Sequence, residues 1–183
     1  KKNLEKYRIQ GMLYEAIVDA VLKSEQSEVK GRLQPSDQAE EELYLNEVKR
    51  YYRSRAVYFF ENGSYQGYDR YDAARLLTDV DREVFFRKVN SSIFLGTHTA
   101  EGSGFMHRTF AEYFVAAAMR AQWNELLELK DPDEKLRMIK WFVYQYGDQK
   151  YENIWVLFIG LLDKPAAQKF LEVCWEEEYK SLG

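Results

Sequence analysis

Apolar residues recur along most of this 183-residue chain with a helical period rather than a strand period. Leu13, Ile17, Val18, Val21 and Leu22 are spaced to share one helix face, which runs out over 23–26. The polar stretch 27–38, with Gly31 and Pro35, reads as a linker in which Ser36 is placed to cap the next helix. That helix is expected over 39–60, with Asn62-Gly63 as its stop. A short extended piece at 65–68 follows, then a brief helix over 72–77. Thr78-Asp79 offers a cap for another helix over 80–88.

The period then changes. Ser92-Ile93-Phe94-Leu95 reads as extended, 97–104 as a flexible loop ending in Gly102-Ser103-Gly104, and Phe105-Met106-His107 as a returning strand. Short helices followed by a hairpin outline a winged helix. Beyond it the pattern is helical again. Thr109 and Glu112 fit a capping box that opens a helix to about 129. Asp131-Pro132-Asp133-Glu134 supplies an Asp cap and a Pro at the first helical position. Leu136, Ile139, Phe142 and Val143 ride on that helix, which breaks at Gly147-Asp148. A further helix is expected over 151–162, and Asp163-Lys164-Pro165 caps the last one, to about 179. The expected fold is mainly α in three parts. A helical segment and linker occupy 1–34, a winged helix with a β-hairpin wing 35–120, and the start of a second helical domain 121–183.

Composition narrows the function. With 26 basic and 30 acidic residues the net charge is −4, which argues against a globally basic nucleic-acid binder. Tyr, Phe and Trp number 14, 11 and 4 against only 3 Pro, favouring long helices with bulky packing faces. The single cysteine, Cys174, excludes an internal disulfide and a cysteine-rich zinc site, and fits a reducing compartment. No apolar run reaches the roughly 18 residues of a membrane span, and Lys1 leads into an amphipathic stretch rather than a signal peptide. A cytoplasmic protein is expected, and the missing initiator Met suggests a piece of a longer one.

Catalytic patterns are missing. There is no G-x-x-x-x-G-K-[ST] and no G-x-G-x-x-G, so the backbone cradle for nucleotide phosphates is absent from this sequence. His98 and His107 flank a loop without an H-E-x-x-H or a cysteine partner, so no metal site is expected. Acidic pairs such as Asp79/Asp81 and Asp131/Asp133 stand where helix caps belong. The chain is not expected to be an enzyme by itself.

The most specific feature is Phe105-Met106-His107-Arg108-Thr109-Phe110-Ala111-Glu112-Tyr113-Phe114-Val115-Ala116-Ala117. It resembles the F-x-H-x-[ST]-F-x-E-[FY]-x-A-A signature of the winged helix in NACHT-type NTPases, a branch of the STAND signalling ATPases that includes NOD-like receptors. Three weaker pieces agree in order. Gly11-Met12-Leu13-Tyr14-Glu15 looks like the L-Y-E helix that closes the lid after the nucleotide-binding core. Ser92-Ile93-Phe94-Leu95 stands in the place of the S-G-L-L strand, and 151–162 looks like the downstream W-x-F-x-A-G-L-L helix. Ile93 and Ile159 depart from the family's Gly and Ala.

The resemblance implies a regulatory fragment whose P-loop and Walker B acids lie upstream. In the family, the histidine matching His107 contacts the β-phosphate of bound ADP, closing the winged helix over the nucleotide and holding the protein inactive. Exchange for ATP, with Mg held by the NTPase core, lets this region swing away and the protein oligomerise. Implied partners are the NACHT nucleotide-binding domain in cis and further copies of the protein. The physical logic is general: a helix N-terminus favours anions, and an imidazole N–H beside it donates to a phosphate oxygen.

Plainer readings stand beside this one. A lone histidine before a helix is ordinarily a structural hydrogen-bonder. Lys49, Arg50, Arg53 and Arg55, interleaved with Tyr51 and Tyr52, form a candidate nucleic-acid-binding face. The overall acidity favours the plainer reading of these residues, a solvated helix face balanced by Glu40, Glu41, Glu42 and Glu47. A helical protein-interaction scaffold is the third alternative.

Overall fold

The computed structural model describes residues 2–29, 38–63, 89, 94–95 and 105–181, and these are mainly α-helical. The described helices are α1 (Lys2–Val29), α2 (Gln38–Asn62), α3 (Arg108–Glu128), α4 (Pro132–Gln145), α5 (Glu152–Leu161) and α6 (Lys164–Ser181). A single 3-10 turn, Gln149–Tyr151, leads into α5. The expected extended piece at 65–68, the helices over 72–77 and 80–88, and the loop 97–104 lie outside the described residues.

The helix ends follow local chemistry. Asp131 Oδ1 accepts from the Asp133 and Glu134 backbone N–H groups at 2.9 and 3.4 Å, with Pro132 opening α4. Asp163 Oδ1 accepts from Ala166 N at 2.7 Å, opening α6. At the end of α2, Gly63 takes φ +72° and its N–H bonds to the Phe59 carbonyl at 2.8 Å, the left-handed stop that Asn62-Gly63 announces.

The expected β-hairpin lies partly outside the described residues, at 92–93 and 96–104. Among the described residues there is no strand; pairing is one antiparallel bridge, Leu95 with Phe105, plus the Met106 N–H bonded to the Phe94 carbonyl at 2.9 Å. The β-hairpin wing is therefore not seen. Side-chain packing holds these segments instead. Phe94 sits 4.9 Å from Phe110 and 5.7 Å from Phe114, ring centroid to ring centroid.

The chain divides into two compact units, Ala16–Ala118 and Lys1–Glu15 with Met119–Gly183. In the first, Tyr51, Tyr52, Phe94 and Phe114 are fully buried, and the Tyr52 hydroxyl donates to the Val89 carbonyl at 3.1 Å. In the second, Trp123, Phe142, Phe158 and Phe170 form the core, with Trp155 stacked on Phe170. There α1 and α5 touch backbone to backbone. A Cβ on Gly160 would stand 2.1 Å from the Tyr7 carbonyl oxygen, and one on Gly11 2.5 Å from the Gly160 carbonyl carbon. Arg120 of α3 joins both helices, donating to Glu15 at 2.8 Å and to the Leu161 carbonyl at 3.3 Å.

Helix α1 also departs from expectation. Val18 and Leu22 are buried, but Leu13 and Ile17 remain 56% and 39% exposed. Gly11, Val18 and Leu22 share the buried side of the helix, and at Gly11 the missing Cβ admits the α5 backbone. Leu13 and Ile17 fall on the opposite side of the helix.

Candidate functional site

His107 precedes the first residue of α3, and its carbonyl accepts from Phe110 N–H at 3.1 Å. Aromatic packing anchors the segment. Phe110 lies 6.4 Å from the imidazole, centroid to centroid, and packs on Phe94, while Phe105 packs on Phe114 at 5.6 Å. The imidazole is exposed and makes no hydrogen bond with the described residues. A structural histidine buried at a helix mouth would use its ring nitrogens on the fold. Neither nitrogen of this one is so used among the described residues.

The start of α3 is not the expected capping box. The helix begins two residues early, at Arg108 rather than Phe110, so Thr109 lies inside its first turn, exposed and without a side-chain hydrogen bond. Glu112 is 4% exposed and accepts from Arg108 Nε at 2.8 Å. One turn of helix separates the two residues, and a carboxylate taken out of water binds a cation in preference to a backbone N–H. The guanidinium also lies over the Phe60 ring, 5.8 Å from its centroid. Sequence reading placed Glu112 in a cap and overlooked Arg108; the signal was the i, i+4 spacing of opposite charges.

The basic stretch on α2 is tied into the fold. Lys49 Nζ meets Asp19 Oδ1 at 2.7 Å. Arg50 pairs with both oxygens of the buried Glu47. Arg55 is 6% exposed and donates to the Tyr51 hydroxyl at 3.2 Å. Arg53 is half-buried and also engaged. These side chains are therefore not a free row of cations along one groove. Of the expected acidic counterweights, Glu47 is a direct partner and Glu42 is exposed.

His98, the other histidine of the sequence, lies outside the described residues. No group of three His, Cys, Asp or Glu side chains comes together as a metal site among the described residues. No described helix is long and apolar enough to cross a membrane. Comparison with known protein families, curated proteins and solved structures gives no match.

Proposed function

We propose that this chain is the nucleotide-state-sensing region of a NACHT-type signalling NTPase, with His107 as its contact to the bound nucleotide. The observation that carries the reading is the exposed, unpartnered imidazole on an aromatic-anchored segment at the mouth of a 21-residue helix. Such a group is free to donate to a phosphate oxygen, and the first turn of the helix favours the same negative charge. The residues present fit a phosphate rather than a whole nucleotide. Adenine, ribose and Mg are assigned to the nucleotide-binding domain in cis, which would also supply the P-loop.

In this reading the winged-helix region, its wing included, closes over ADP in the inactive state and withdraws when ATP replaces it, exposing surfaces for self-assembly in the cytoplasm. A charge-assisted hydrogen bond of about 1.5–3 kcal/mol present in only one state shifts a two-state equilibrium roughly 10- to 150-fold. One histidine is therefore enough to set the switch.

The test is ADP retention by the purified full-length protein. His107→Ala is expected to release ADP about tenfold faster or more and to raise the oligomeric fraction. Unchanged ADP release and unchanged assembly would overturn the reading. The nucleic-acid alternative is weakened by the internal partners of Lys49, Arg50 and Arg55.

A further inference from the structure

Among the described residues, Arg50, Arg108 and Arg120 each pair with a carboxylate, and they use their guanidinium groups differently. Arg50 lays Nε and Nη2 on the two oxygens of Glu47 and closes its fork on that one carboxylate. Arg120 spends both terminal nitrogens inside its unit, on Glu15 and on the Leu161 carbonyl. Arg108 donates only Nε, to Glu112. Its two terminal nitrogens have no hydrogen-bond partner among the described residues, and the side chain is 68% exposed.

This arrangement is oriented rather than loose. The Glu112 side chain is 6% exposed and its described polar partner is Arg108, so the carboxylate fixes the Nε edge of the guanidinium. Its Cζ also lies over the Phe60 ring, 5.8 Å from the centroid. The two terminal nitrogens remain without a hydrogen-bond partner among the described residues, a planar pair of donors matched to two oxygens of a phosphate. It stands one residue from the unpartnered imidazole of His107.

We propose that Arg108 is a second phosphate-binding residue, presenting its terminal nitrogens to a phosphate of the nucleoside diphosphate that His107 contacts. Glu112 and Phe60 are its positioning residues. The proposal rests on the nucleotide reading of His107 and adds a source of selectivity: a clamp on the distal phosphate favours ADP over AMP. Lysine at this position keeps the charge but loses the planar fork.

The experiment measures ADP and AMP affinities of the full-length protein by competition with a fluorescent ADP analogue, for the parent, His107→Ala, Arg108→Ala and Arg108→Lys. Arg108→Ala is expected to weaken ADP roughly 10- to 150-fold while AMP changes by less than about threefold. Arg108→Lys is expected to recover only part of the loss. If Arg108→Ala fails to fold because Glu112 loses its partner, Arg108→Lys carries the test, with ADP weakened and AMP unchanged. Equal loss of ADP and AMP would make Arg108 a structural partner of Glu112 and overturn the proposal. Unchanged ADP affinity in both Arg108 variants, with His107→Ala still effective, would overturn it and leave the nucleotide reading standing. A silent His107→Ala would remove both.

Discussion

The two units are each built around packed aromatic rings, yet they treat charge in opposite ways. Among the described residues, the buried charged side chains Glu47, Arg55 and Glu112 all belong to Ala16–Ala118. Among its described residues, the unit of Lys1–Glu15 and Met119–Gly183 buries no charged side chain and is packed by rings, two glycines and the partly exposed Arg120. Burying an ion costs several kcal/mol before its partner returns anything. A fold that needed only a core would not choose it. Among the described residues that cost falls in the unit that carries His107.

The sharpest test of the apolar side of this comparison is Trp123. It is fully buried, with Phe170 at 5.0 Å and Phe142 at 5.8 Å, and its indole N–H has no hydrogen-bond partner. Trp123→Ala removes packing and leaves a cavity without breaking a polar contact. Urea denaturation followed by circular dichroism should show a loss of about 3–5 kcal/mol. A loss below about 1 kcal/mol would mean that these rings do not form the core of the unit.

The charged side is tested by Glu47 and Arg50. Removing the cation alone, by Arg50→Met, strands a carboxylate that is 1% exposed and should cost about 1–3 kcal/mol. Replacing both residues by Met should restore most of that stability, because the desolvation penalty disappears with the pair. If the double variant is no better than the single one, the ion pair is a net stabiliser. The contrast between the two units would then carry no information about function.

Local chemistry was legible in the sequence and long-range chemistry was not. Asp131, Asp163 and Gly63 act within four residues of themselves, so their roles as caps and stop could be named from spacing alone. The Arg120–Glu15 pair joins residues 105 positions apart, and no local pattern announces it. Helix α1 shows the same limit. Its apolar residues occupy two opposite sides, and the close approach of Gly11 to Gly160, 149 positions away, has no local signal. At the site, His107 could be picked out as a motif residue. The working geometry of Arg108 stayed hidden because Glu112 satisfies two rules at once, capping box and i, i+4 ion pair, and burial decides between them.

The smallest expected effect belongs to the basic stretch, and it bears on the surviving rival function. Lys49 and Asp19 are each about one-third exposed, so their 2.7 Å pair gains little over solvation by water. Lys49→Met should change unfolding free energy by only about 0.2–1 kcal/mol. If Lys49, Arg50, Arg53 and Arg55 contacted nucleic acid, the same substitution would weaken binding and flatten its salt dependence by close to one unit of slope. Fluorescence anisotropy with a labelled 20-mer single strand and duplex, titrated at low and at physiological salt, separates the two. The expected result is no saturable binding by the parent protein at either salt, because the cations already face Asp19, Glu47 and the Tyr51 hydroxyl. Saturable binding that Lys49→Met weakens would move the functional surface from the His107 segment to α2.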